Sequence, residues 1–240
     1  MSEVSDKRGA RVVSSLFPKE VVTEEAHSAC FEGSIHPEEE ALVRDAYPKR
    51  RVEFAAGREC ARRALEKLGV TDFPILAAAD RAPIWPPGLV GTISHAGEYC
   101  GAAVARKGDV GGLGLDIERL KGLDRECTPL ICTAPELSLL GSAPESQQER
   151  LSYLIFSAKE CVYKCLHGAT EKWLDFHDVM ISPLPISHDS DHAPRDFEAV
   201  LLVDADDGFE RGKRLRGKYS FRDGYVFTAM VLGRRVGRRA

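Results

Sequence analysis

The chain lacks any run of apolar residues approaching the ~20 needed to cross a bilayer, and it contains no Cys-x-x-Cys pair. Its cysteines number seven, an odd count without metal-ligand spacing, which excludes a disulfide framework and a zinc site. Neither Gly-x-x-x-x-Gly-Lys-Ser/Thr nor Gly-x-Gly-x-x-Gly occurs, so the phosphate loop of nucleotide hydrolases and the dinucleotide fingerprint are both missing. A strong charge of either sign is absent too: the net charge of −4 gives no global reason for nucleic-acid binding. The polar start Met1-Ser2-Glu3-Val4-Ser5-Asp6-Lys7-Arg8 is followed by no apolar segment of signal-peptide type. These absences lead us to expect a reduced, cytoplasmic, soluble protein.

What is present is an ordinary globular composition, 43% hydrophobic and 29% charged, over 240 residues, enough to bury a real core. Positive charge is locally clustered at Lys49-Arg50-Arg51, Arg58 and Arg62-Arg63, and again at Arg234-Arg235 and Arg238-Arg239. The pattern predicts short strands over 11–16 and a helix opened by Pro37 and its three glutamates. It predicts a helix over 51–68 with Val52, Ala55, Ala56, Cys60, Ala64, Leu65 and Leu68 on its apolar face. Strands follow at 90–93, 100–106 and 113–117, then helices at 135–140 and 151–166, with 143–148 a loop or helix start. A surface loop at 183–194 and antiparallel strands at 197–203, 213–221 and 225–232 complete the chain. Helix-then-strands occurs twice, which points to an α+β fold of two similar α/β halves, although no sequence repeat accompanies it.

Gly114-Leu115-Asp116-Ile117-Glu118 places two carboxylates two residues apart on a strand, hence on one face. Paired anionic oxygens suit a hard cation such as Mg²⁺; a solvated strand face is the competing reading. Glu160 and Lys164 share a helix face, either as a surface ion pair or, given the apolar flanks Phe156, Ala158, Val162 and Tyr163, as partly buried functional groups. Ser94-His95 ends an apolar strand, where hydroxyl, imidazole and turn N–H groups suit a phosphate as well as an ordinary hydrogen-bonded surface. Arg50 and Arg58, two helical turns apart, are a basic face with the same two readings. Taken together, three carboxylates (Asp116, Glu118, Glu160) with Arg50, Arg58, Arg81, His95, Lys159 and Lys164 are equipment for displacement at a phosphorus of a polyphosphorylated substrate.

Three ordered motifs carry a family resemblance: Trp85-Pro86 with Gly91-Thr92-Ile93-Ser94-His95, then Gly114 to Glu118, then Phe156-Ser157-Ala158-Lys159-Glu160 with Tyr163-Lys164. With Lys49-Arg50-Arg51, Gly57-Arg58 and Asp80-Arg81-Ala82-Pro83 upstream, the chain resembles the 4′-phosphopantetheinyl transferases of the long, monomeric Sfp type, in the branch of the enterobactin-synthase component. The resemblance covers about 44–178 with an echo at 215–219. It differs at Ala96, where many relatives have Cys, and at Cys161 and Cys165.

The resemblance implies two subdomains related by a pseudo-twofold, divided here as 1–118 and 119–240, with coenzyme A between them. It implies Mg²⁺ on Asp116, Glu118 and Glu160, and Glu160 as base toward the serine of an apo peptidyl, acyl or aryl carrier protein. Lys164 would stand at the pyrophosphate, favouring departure of adenosine 3′,5′-bisphosphate. Ser94, His95 and Lys159 would contact coenzyme A phosphates, Arg50 and Arg58 the 3′-phosphate side, and Arg81 the adenine side. Because a carboxylate on Mg²⁺ is a weaker base than a free one, water on the metal stands as the alternative base. The implied setting is siderophore, nonribosomal peptide or polyketide synthesis. Residues 123–148 are the candidate carrier contact, with ordinary packing as the alternative. A non-catalytic binding module and a different Mg²⁺-dependent phosphoryl or nucleotidyl transferase are the competing functions; the intact carboxylate set and the motif order weigh against them.

Overall fold

The computed structural model describes residues 11–27, 34–122, 126–184, 193–206 and 208–234. Expectations resting on the polar N-terminus, Leu123, Arg125, the loop at 185–192 and the arginines after Arg234 lie outside the described residues.

A three-stranded antiparallel sheet has the order β1-β3-β2, from Val22–His27, Tyr99–Arg106 and Leu89–Ala96. The 20-residue helix α2, Pro48–Lys67, packs on it through Ala56, Cys60, Ala61, Ala64 and Leu65. Pro48 fits the first turn because its missing N–H has no partner to lose there. Val52, expected on the buried face, is 52% exposed. Residues 11–16, expected as strand, instead form the short helix α1, Val13–Leu16. Glu25 of β1 is the physical reason: its carboxylate accepts the N–H groups of Val12 and Val13, at 2.7 and 2.5 Å, at the helix start.

A five-stranded antiparallel sheet has the order β4-β8-β7-β6-β5, where β4 is Val110–Arg119, β5 Val179–Pro183, β6 Arg195–Leu201, β7 Arg214–Arg222 and β8 Tyr225–Gly233. By hydrogen bonding, Asp116 and Glu118 therefore belong to this second sheet. Two short helices, α3 (Thr128–Ile131) and α4 (Ala134–Ser142), precede α5, which runs unbroken from Glu145 to Thr170 and absorbs the segment left open at 143–148.

Helix α5 lies close on β4 because alternate residues of that strand are glycines. A Cβ on Gly114 would stand 2.1 Å from the carbonyl oxygen of Cys161, and one on Gly112 would stand 2.7 Å from that of Cys165. The period of two then carries the same face onward to Asp116 and Glu118. The two sheets meet along β2 and β4 through side chains: Leu115 N–H donates to Thr92 Oγ1 (3.2 Å) and Ile117 N–H to Ser94 Oγ (3.1 Å).

The two halves share a construction that no sequence repeat announces. In the first, Glu39 occupies the third position of a capping box in the 3₁₀ helix Pro37–Val43. It is fully buried and accepts from Arg62 of α2 (3.0 Å) and Ile75 N–H (2.8 Å). In the second, Glu136 occupies the third position of the α4 capping box and accepts from Lys159 of α5 (2.7 Å) and Ile181 N–H (2.6 Å). In both, the cation stands 23 residues after the carboxylate.

Candidate active site

Four elements bring the expected side chains together: β4 supplies Asp116 and Glu118, α5 Glu160 and Lys164, β2 Ser94 and His95, and α2 Arg50 and Arg58. Asp116 is 2% exposed and is the centre of the hydrogen bonding. Its Oδ1 accepts from Lys164 Nζ at 2.6 Å and from Ser94 Oγ at 3.1 Å, while Lys164 also reaches Ser94 Oγ at 3.4 Å.

Its other oxygen, Oδ2, is buried without a hydrogen-bond partner. An unsatisfied buried carboxylate oxygen is costly in a finished core and is explained by a site that takes a further ligand. Glu118 and Glu160 are half-buried beside it, and both hold their protons more tightly than ordinary carboxyls. Burial pushes Glu118 up to about 8, with Asp116 and Glu160 adding to it against Lys164. Burial also raises Glu160, Lys164 opposes this, and Asp116 adds to it. Three carboxyls in one small volume with one lysine leave an excess of negative charge that a divalent cation would neutralise. Among the described residues no group of three His, Cys, Asp or Glu side chains is arranged to hold a metal ion. The donor chemistry nevertheless fits a hard cation: all three groups are oxygen ligands, and Asp116 has a free one.

Burial disfavours the charge on Lys164, but the Asp116 carboxylate and its hydrogen bond, with Glu160, raise its pKa above that of an ordinary lysine. His95 is pushed down to about 4 by burial, then by Arg50, Lys164 and Arg58. Its Nε2 meets Arg50 and its Nδ1 lies 3.7 Å from Glu53. Glu53 also lies 3.9 Å from Arg50; it belongs to the family-like segment that starts at Lys49, but sequence reading gave it no role, since it sits among basic residues as an ordinary helix glutamate. Arg58 is 8% exposed, rests over the Phe54 ring at 4.6 Å, and has a buried Nε without a partner. Burial lowers its pKa to about 10. The result is an under-neutralised cationic corner beside the carboxylates, suited to a phosphate.

Three expected contacts are placed differently. Ser94, expected at a phosphate, is 5% exposed, and its hydroxyl is spent on Asp116, Lys164 and the Ile117 N–H; it positions the carboxylate. Lys159, also expected at a phosphate, is 3% exposed and, five residues before Lys164, lies about 140° away from it around the helix. Its ammonium donates to Ile131 O, Glu136 Oε2 and Phe176 O, each at 2.7 Å, so all three N–H groups are used. Arg81 stands exposed in the turn at 78–82 with φ of 70°, outside the hydrogen-bonded cluster. That loop is nevertheless tied to α5, since Asp80 lies 3.1 Å from His167.

Beside Glu160 a cleft of about 280 Å³ opens between α5 and the segment before β5, lined by Glu160, Tyr163, Trp173, Leu174, Phe176 and Val179. Tyr163 and Trp173 meet edge to face at 5.0 Å, and Trp173 is 73% exposed. Glu136 and this wall were not legible as site features. The Thr133-Ala134-Pro135-Glu136 stretch signals a capping box and nothing more.

Residues 38–105 match the 4′-phosphopantetheinyl transferase N-terminal domain, and residues 112–211 match the 4′-phosphopantetheinyl transferase superfamily. The chain is 34% identical over 237 residues to 4′-phosphopantetheinyl transferase Svp of Streptomyces mobaraensis, covering 94% of this chain and 91% of that one. It is 35% identical over 199 residues to 4′-phosphopantetheinyl transferase PptT of Mycobacterium tuberculosis, covering 82% and 85%. It is 30% identical over 234 residues to enterobactin synthase component D of Salmonella typhimurium, covering 94% and 93%. Matches of this extent, spanning both sheets and every motif of the cleft, make the chain a member of the 4′-phosphopantetheinyl transferase family.

Proposed function

We propose that this enzyme transfers 4′-phosphopantetheine from coenzyme A to a serine of apo carrier proteins, with Mg²⁺, and releases adenosine 3′,5′-bisphosphate. The observation that carries the reading is the buried Asp116, with one oxygen on Lys164 and the other unpartnered, beside Glu118 and Glu160. Asp116, Glu118 and Glu160 would hold the metal, which would supply charge neutralisation at the pyrophosphate.

The chain's own residues have the following tasks. Glu160, whose pKa burial raises, takes the serine proton as the Oγ–P bond forms. The bond from that phosphorus to the bridging oxygen breaks, and the electron pair leaves on adenosine 3′,5′-bisphosphate. Lys164, held charged by Asp116, faces that leaving phosphate. Arg50, Arg58 and His95 hold the 3′-phosphate. Arg81 lies on the adenine side, on the loop tied to α5. In this reading residues 1–118 grip the phosphates and adenine of the coenzyme and supply the first metal ligands, and 119–240 carry the Lys-Glu helix and the carrier side. The enzyme works as a cytoplasmic monomer serving siderophore, nonribosomal peptide or polyketide synthesis.

Intact-protein mass spectrometry of an apo carrier protein, incubated with the enzyme, coenzyme A and Mg²⁺, tests this. A gain of one phosphopantetheine that EDTA prevents is expected. No gain on peptidyl and acyl carriers, with coenzyme A still bound, would leave a binding module.

A further inference from the structure

One buried ion pair lies outside the machinery just described and yet borders it. The side chains of Glu136 and Lys159 are each 2% exposed. Glu136 Oε2 accepts from Thr133 N–H (2.6 Å), Thr133 Oγ1 (2.9 Å) and Lys159 Nζ (2.7 Å), and its Oε1 accepts from Ile181 N–H (2.6 Å). Lys159 passes the constraint on, donating to Ile131 O at the end of α3 and to Phe176 O in the segment before β5. Five pieces of chain are thus pinned at one point: α3, α4, α5, β5 and the 173–176 segment. That last segment is one wall of the cleft, and the residue after Lys159 is Glu160 on the other.

A hub of this build is in part a property of the fold, because Glu39 and Arg62 repeat it in the first half. What differs is the third contact of the cation. Arg62 donates to Ser34 O, whereas Lys159 donates to the wall facing Glu160. All three donors of the buried ammonium are engaged at 2.7 Å, so it ties α5 to Ile131, Glu136 and Phe176 at once and sets the separation of α5 from Phe176.

We propose that Glu136 and Lys159 are positioning residues: through Phe176 they fix the cleft wall opposite Glu160 and so set how well the coenzyme fits, without taking part in the chemistry at phosphorus. This rests on the transferase reading above. It also replaces direct phosphate contact as the role of Lys159.

The test is the double variant Glu136→Gln/Lys159→Met in the full chain. Removing both charges avoids stranding one buried ion, which is what a single substitution does. Circular dichroism checks folding, calorimetry measures coenzyme A binding, and carrier loading gives kcat and KM. The expected result is a rise of about tenfold in Kd and KM for coenzyme A, since sub-ångström misplacement is amplified in a fitted site, with kcat per folded enzyme within about threefold of wild type. A purely structural pair would lower the folded fraction, and with it apparent kcat, and leave KM in place; that result overturns the proposal.

Should the double variant fail to fold, Thr133→Val removes one donor to Glu136 and keeps the ion pair. A rise of about threefold in Kd is then expected, and an unchanged Kd overturns the proposal. Wild-type protein that neither binds coenzyme A nor loads a carrier removes the transferase reading and this proposal together. Wild-type protein that does both, beside a double variant of unaltered Kd and KM, removes only the proposal.

Discussion

In the proposed reaction Glu160 is both metal ligand and base, and its raised pKa has burial as its first cause, opposed by Lys164. Replacing it with Gln keeps the shape and removes both the charge and the proton acceptor. Glu160→Gln is expected to slow carrier loading by about 10²–10⁴-fold, the usual worth of a positioned base, while coenzyme A binding by calorimetry stays measurable. Near-normal loading would take Glu160 out of the mechanism. His95 makes a separate prediction. Its pKa is depressed to about 4, so the folded state binds its proton less readily than the unfolded state does. The stability His95 contributes is therefore present above the unfolded value of about 6.5 and is lost as pH falls from there toward 4. The loss amounts to about 3 kcal/mol at most by that shift. Denaturant melts at pH 7 and pH 4.5 should show a smaller pH-dependent loss in His95→Gln than in wild type. Equal losses would mean that neither burial nor Arg50 and Lys164 depress His95 in solution.

At the scale of elements, the site exists because α5 can come down on β4. Gly114 makes that approach possible, since a Cβ there would meet the Cys161 carbonyl oxygen at 2.1 Å, against backbone that has no rotamer to yield. Gly114→Ala is expected to destabilise by about 2–3 kcal/mol through overpacking and to move Lys164 off Asp116. Both stability by urea titration and carrier loading should fall, and a variant with wild-type values of each would show that helix and strand separate freely. Much of this was legible in the sequence. The period of α5, the two-residue spacing of Asp116 and Glu118, and the order of strands in the second half follow from local pattern. The illegible parts are those fixed by distant partners. Helix spacing places Lys159 off the Glu160–Lys164 face but is silent on Glu136, 23 residues away, which claims its charge. Ser94 reads as a turn hydroxyl because nothing local shows that β4 will lie alongside it. Strand β1 carries Thr23, Glu24 and Glu25 in succession, too polar to read as a strand, and is fixed by its ladder to β3. Glu25 in turn makes a helix start of residues whose β-branched valines suggest a strand.

The whole molecule is two halves built to one scheme and joined along β2 and β4, so the question is whether they unfold together. Several contacts argue that they do. Thr92 and Ser94 bond across the seam at 3.2 and 3.1 Å. The tip of the β2–β3 hairpin is held by the second sheet, where Glu98 N–H donates to the Tyr225 hydroxyl at 3.2 Å. One apolar cluster draws on both sheets, with Val13, Ala103 and Ala105 packed among Leu115, Ile117 and Phe227. A core shared in this way cannot be lost by one half alone. The two carboxylate hubs give a direct means of testing it, because each is buried and bonded within one half. Glu39→Gln takes from Arg62 its buried carboxylate and leaves it Glu59 and Ser34 O, and Glu136→Gln strands Lys159. Breaking one member of a buried pair costs about 3–5 kcal/mol, which for a chain of this size lowers the melting point by about 10 °C. If the halves form one cooperative unit, calorimetry shows a single transition in wild type, and both variants move that same transition downward by similar amounts. Two transitions, one answering to Glu39 and the other to Glu136, would mean that the seam is a contact between independently stable domains. The site would then be free to open along β2 and β4. A single transition means that Asp116 on one side and His95 on the other are held in register by the fold itself.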